Sequence, residues 1–156
     1  MFFHYIITTS PIGSIEIVSD ETHICGLNPT NKKVENQDLM QMPSIIQQCV
    51  QELDEYFSGE RKNFSLSLSQ KGTDFQQSVW NELQKIPYGE TISYKTLAQR
   101  TKSPKAVRAA GSANGRNNIS IIVPCHRVIN TDSKLGGYAH GLEMKEYLLN
   151  LEKKNS

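Results

Sequence analysis

The sequence predicts an α+β fold in two parts: a small antiparallel sheet with one helix over residues 1–71, then a mainly helical segment over residues 72–156. Three observations support this. Apolar residues alternate between turn signals up to about residue 30, an amphipathic period of three and four starts at Pro43, and short, separately bounded helical runs follow Gly72.

In chain order, FFHYIITT, the turn SPIG, SIEIVSD, the turn DETH and ICGL read as strands joined by two hairpin-like connections. The polar stretch NPTNKKVENQDLMQ reads as a loop. Ile45, Ile46, Cys49, Val50, Leu53, Tyr56 and Phe57 then recur on one helical face, and Gly59 ends the run. Cys49 on that face reads as a small buried hydrophobe. FSLSLS alternates strictly and is expected to form another strand.

In the second part Phe75, Val79, Trp80, Leu83 and Ile86 mark a helix capped by Thr73 or Asp74 and stopped by Pro87 and Gly89. Ser93 to Thr101 forms a short helix with Leu97 and Ala98 inward. The turn after it leads to PKAVRAAGSANG, a helix expected to start at Pro104 with Ser103 as cap and to end at Gly115. Two short helices across a tight turn make a candidate helix-turn-helix, a pattern many helical pairs share.

Charge separates the two parts. The chain carries +1 overall, yet Thr91 to Thr131 holds no acid and seven bases, leaving ten basic and 16 acidic residues, a net −6, elsewhere. Lys95, Arg100, Lys102, Lys105, Arg108, Arg116 and Arg127 supply that charge. One surface suited to a polyanion follows, against the alternative of a solvated basic face. Lys105, Arg108 and Ser112 share a face of a helix made otherwise of Ala, Gly and Ser. Small residues let a helix approach a phosphate backbone or narrow groove, with Arg108 free as a probe or wedge.

Three cysteines leave one unpaired in any disulfide scheme, show no CxxC spacing, and favour a reducing compartment. MFFHYIITTS has no basic n-region, and no segment reaches the apolar length of a membrane span. The expectation is a cytoplasmic protein, nuclear in a eukaryote, without membrane contact. Cys125 ends the apolar run IIVP within the basic segment, next to His126, so positive charge or a base could favour its thiolate. On a regular strand His126 would point to the opposite face, but Pro124 disfavours such a strand there, so either a turn brings the two together or a water links them. A cysteine at such a place is often buried and inert.

The segment PCHRV, preceded by GRNN and followed by GGYAHGL, resembles the O6-alkylguanine-DNA alkyltransferases. VWNELQKIPYGETISY, SPKAVRAAGSANGR, IIVPCHRVI and LEMKEYLLNLE carry the resemblance from about Phe75 to Glu152. It implies a ribonuclease H-like first domain and a winged-helix-like second one. It also implies DNA repair by direct, irreversible, single-turnover transfer of an alkyl group from O6-alkylguanine to Cys125, with the damaged nucleotide flipped out of the duplex.

The same resemblance implies the roles. His126 would be a base acting through water and oriented by Glu152, which shares a helical face with Lys145 and Leu149 beside the apolar row Met144, Leu148 and Leu151 and so can point inward. Arg108 would fill the place of the flipped nucleotide, and Tyr94 would strain the phosphate and protonate the departing guanine. Asn117 would tie the turn before the active cysteine, while Lys105, Ser112 and Arg116 would face DNA. Tyr138, Ala139 and His140 would close over the base, with Lys145 in support. No cofactor or metal is expected; His4, His23 and Cys25 are too few and too poorly spaced for a zinc site.

The expected partner is double-stranded DNA containing O6-alkylguanine, bound by a monomer. Two departures stand out: His140 and Asn118 occupy positions where many relatives have glycine and proline. Three other readings stay open from sequence: an alkyltransferase-like lesion binder, a helix-turn-helix regulator without transfer activity, and a cysteine hydrolase.

Overall fold

A computed structural model describes all 156 residues, which fall into two compact units, Met1–Gln70 and Lys71–Ser156.

In the first unit strands β1 (Phe3–Ser10), β2 (Gly13–Ser19) and β3 (Ile24–Pro29) form an antiparallel meander in sequence order. Gly13 has φ 92°, a left-handed value that glycine adopts without a Cβ penalty, so the β1–β2 turn can close. The period-two pattern puts Ile15 and Ile17 on one face, where helix α1 (Ser44–Phe57) covers the sheet with Ile45, Ile46, Cys49, Leu53 and Tyr56. The polar loop before α1 contains one 3-10 turn, Leu39–Gln41, whose Asp38 side chain accepts from the Met40 amide.

FSLSLS is not a strand. Only Leu68 bridges Ile24, through two backbone hydrogen bonds on either side of that residue. The alternation is real, but the segment meets the sheet edge at one point and has no further partner to form a ladder with.

The second unit contains α2 (Asp74–Leu83), α3 (Tyr94–Arg100), α4 (Val107–Gly115) and α5 (Leu142–Asn155), with a two-residue parallel pairing of β4 (Ile92–Ser93) and β5 (Val128–Ile129). Thr73 caps α2 in a reciprocal capping box with Gln76, and Ser93 caps α3. Ile86 falls in the turn beyond α2. The single tryptophan, Trp80, is buried on α2 and donates its indole N–H to the Ala113 carbonyl of α4 at 2.9 Å. A Cβ on Gly72 would lie 2.5 Å from that ring, so the approach to α2 requires glycine there.

Two sequence expectations change here. Helix α4 begins at Val107, not Pro104, because Ser103 to Ala106 close a separate turn in which the Ala106 amide donates to the Ser103 carbonyl. Lys105 precedes the helix and shares no helical face with Arg108 and Ser112. The run IIVP is also not a strand: Ile121 has φ 71°, and Cys125–Arg127 form a 3-10 turn before β5. A β-branched residue in the left-handed region is strained, and Asn117 holds the chain that imposes it. The Asn117 amide donates to the Ile119 and Val123 carbonyls at 3.2 and 2.8 Å and accepts from the Ile119 amide at 3.1 Å.

Candidate active site

A cavity of about 1010 Å³ opens in the second unit, at the upper end of the range for small-molecule pockets. Tyr94, Arg108, Gly111, Asn117, Cys125, Tyr138, Ala139 and His140 are among the residues lining it. It brings together α3, α4, the 3-10 turn and the loop before α5. Lys105, Ser112 and Arg116 are exposed outside this lining.

The 3-10 turn separates the surroundings of two neighbouring residues. Cys125 faces the cavity, while the His126 side chain turns into the protein and is fully buried against α5. His126 Nε2 donates to Glu152 Oε2 at 2.7 Å. That bond puts the ring proton on Nε2 if Glu152 is ionised, leaving Nδ1, which has no protein partner, as a bare acceptor. Burial raises the Glu152 pKa, but hydrogen bonds from His126 and Arg127 and their charges more than offset it and hold the carboxyl near 2. Burial lowers the His126 pKa, and Glu152 opposes that effect only in part.

The thiol is buried, as its place at the end of an apolar run predicts. Burial pushes the Cys125 pKa up, and contacts with Asn117 and Tyr138 and the Lys145 charge offset this only partly. The positive charge of the basic segment therefore does not by itself favour the thiolate of Cys125. Tyr94 lines the same cavity, and its hydroxyl donates to the Gly137 carbonyl at 3.3 Å. Burial, then the nearby Cys125, pushes its pKa up, which keeps the phenol protonated and able to donate. Burial also lowers the His140 pKa; its ring meets Tyr138 edge-on, with centroids 5.7 Å apart.

Sequence reasoning understated two residues. Lys145 is fully buried, and its ammonium donates to the carbonyls of Val128, Leu135 and Gly137, with burial lowering its pKa to about 8. It is a latch on the loop before α5. Lys145→Met leaves three carbonyls without their donor and is expected to lower stability by about 2–4 kcal/mol and open the loop, measured by thermal unfolding and limited proteolysis.

Arg127, counted above as surface charge, is buried instead. Its Nε and Nη2 donate to the two Glu152 oxygens at 2.8 and 3.0 Å, and Nη1 donates to the Ile86 carbonyl at 2.7 Å. The signal available in the sequence was a second basic residue beside His126 with Glu152 as the one inward acid of α5. The other six bases of the acid-free segment are exposed.

Two family models cover nearly the whole chain. Residues 3–70 match the ribonuclease-like domain of 6-O-methylguanine DNA methyltransferase, and residues 74–154 match its DNA binding domain. A methylated-DNA–protein-cysteine methyltransferase of Methanosarcina acetivorans is 47% identical over 152 residues, covering 96% of this chain and 97% of that protein. The constitutive enzyme of that name from Bacillus subtilis is 46% identical, covering 96% and 95%. The crystal structure of Mycobacterium tuberculosis O6-methylguanine methyltransferase superposes with a TM-score of 0.87 at 40% identity, covering all of this chain and 95% of that one. A structure of the same organism's OGT in complex with DNA gives 0.85 at 40% identity, covering 98% and 94%.

Proposed function

The chain belongs to the 6-O-methylguanine DNA methyltransferase family, and from this premise we propose that Cys125 is the residue that takes the alkyl group. The protein binds DNA and repairs it by direct alkyl transfer, as a methylated-DNA–protein-cysteine S-methyltransferase. The observation that carries the assignment to Cys125 is its place in the cavity wall, backed by the closed His126–Glu152 pair.

The substrate is O6-alkylguanine in duplex DNA, flipped into the cavity and bound by a monomer. His126 Nδ1 takes the thiol proton through a bridging water. The Cys125 sulfur then forms a bond to the alkyl carbon as the carbon–oxygen bond breaks, and the electron pair leaves on the guanine. Tyr94 supplies a proton to that base, restoring neutral guanine. A thioether remains on Cys125. Thiol exchange cannot reverse it, so each molecule acts once. Tyr138, Ala139 and His140 close over the base, Lys145 holds their loop, and Asn117 fixes the turn that presents the thiol. Arg108 takes the vacated place in the duplex, while Lys105, Ser112 and Arg116 meet the DNA outside the cavity. Three free cysteines suit a reducing compartment, the cytoplasm or, in a eukaryote, the nucleus.

The test is intact-mass analysis after mixing the protein with a duplex carrying one O6-methylguanine. One added CH2 per protein, mapped to Cys125, is the expected result; binding without mass gain would leave a lesion-binding protein. Arg108→Ala is expected to slow transfer from the duplex by roughly tenfold to a hundredfold, the scale of a few kcal/mol of unstacking, while sparing reaction with free O6-benzylguanine. Equal losses on the two substrates would reject the flipping role.

A further inference from the structure

We propose that Arg127 is a positioning residue which, by holding both oxygens of Glu152, keeps His126 neutral with Nδ1 free to accept a proton. The inference rests on the reading of Cys125 as the acceptor and adds to it the residue that sets the charge state of its base.

The geometry is a closed set of charges. Glu152 receives three donors: Arg127 Nε on Oε1, Arg127 Nη2 on Oε2, and His126 Nε2 on Oε2. The third arm of the guanidinium is fixed on the Ile86 carbonyl, and the Tyr88 ring lies 5.7 Å from its carbon. Arginine stays cationic, so it already balances the carboxylate. Adding a proton to His126 would leave an uncompensated positive charge among fully or nearly fully buried groups.

The groups facing His126 agree with this. From α5 come Glu152, which favours the imidazolium, and Lys145, which opposes it; Arg127 on its own turn opposes it, and burial opposes it most. Without Arg127 the carboxylate would be free to form an imidazolium–carboxylate pair with His126. Such a histidine could orient a thiol but could not take its proton.

The test has two independent arms on the full chain. In two-bond 1H–15N spectra of histidine-labelled protein, wild-type His126 should show the neutral Nε2–H tautomer at neutral pH. In Arg127→Met it should show the doubly protonated ring. In the second arm, the rate of methyl transfer from an O6-methylguanine duplex is followed against pH for wild type, Arg127→Met and Arg127→Lys. A raised His126 pKa moves the acid limb to higher pH. The Met variant should thus lose more activity at about pH 6 than at about pH 9, by on the order of tenfold, with Lys restoring part of it.

A wild-type imidazolium at neutral pH would overturn the proposal even if the Met variant fails to fold. A uniform loss at every pH would reduce Arg127 to a structural residue, and a limb moved to lower pH would mean that Arg127 raises the His126 pKa instead of lowering it; either defeats the proposal. Absence of transfer in wild type would instead defeat the acceptor reading, while the spectra still judge Arg127.

Discussion

Cys125→Ala is expected to eliminate alkyl uptake altogether while leaving binding to a methylated duplex in place. The thiol lies in the cavity wall beneath the loop before α5, and the helices and basic side chains of the expected DNA face do not depend on it. The other two cysteines belong to the first unit: Cys49 is buried beneath the sheet, its pKa raised by burial and by Glu52, and Cys25 is half-buried with its thiol on the His23 carbonyl. Neither lines the cavity, so no second nucleophile stands ready. Mass spectrometry and a binding titration on the same preparation separate the two effects. Transfer that persists in the variant would move the acceptor elsewhere; binding lost together with transfer would mean that the sulfur itself holds the base.

Glu152→Ala is expected to be the most destabilising single change in the second unit. It leaves the Arg127 guanidinium buried without its counter-charge and His126 without its acceptor, a loss of about 3–5 kcal/mol. For a chain of this size that is a fall in Tm on the order of 10 °C. The pH dependence carries a sign. The folded carboxyl titrates near 2, below its ordinary 4.5, so its ionised form stabilises the fold above about 4.5, and that contribution of roughly 3 kcal/mol disappears as pH falls toward 2. Wild type should show this acid slope in chemical denaturation and Glu152→Gln should lack most of it. An identical slope in both would remove Glu152 as its source.

How far the sequence discloses the molecule depends on whether the governing interaction is local. The strands, α1, the Thr73 cap and the start of α3 follow from period, turn residues and capping chemistry, all of which act within a few residues. FSLSLS had the period of a strand but lacked a neighbour to pair with, and no local pattern reports that. The late start of α4 reflects a turn closing between Ser103 and Ala106 that outcompetes a favourable cap and proline.

At the site, the apolar row Met144, Leu148 and Leu151 already allowed Glu152 to point inward, and Tyr94, Arg108, Asn117, Cys125, Tyr138, Ala139 and His140 line one cavity. Arg127 was misassigned because charge counting treats every arginine in an acid-free stretch as surface. Its counter-ion lies 25 residues away, and only the folded chain brings the pair together. The apolar run before Cys125 did signal a buried thiol, and desolvation dominates its titration over the positive charge that the basic segment supplies.

The hydrogen bond from Trp80 to the Ala113 carbonyl makes the chain its own optical instrument. There is one indole, so the emission needs no deconvolution, and it sits at the joint where α2 supports the helix that carries Arg108. Any displacement of α4 on meeting a duplex alters the dipole on the indole nitrogen and with it the colour and yield of the fluorescence. Stopped-flow traces on the unlabelled protein can time the engagement of that helix, and comparison with rapid-quench measurements of methyl uptake can order the two events.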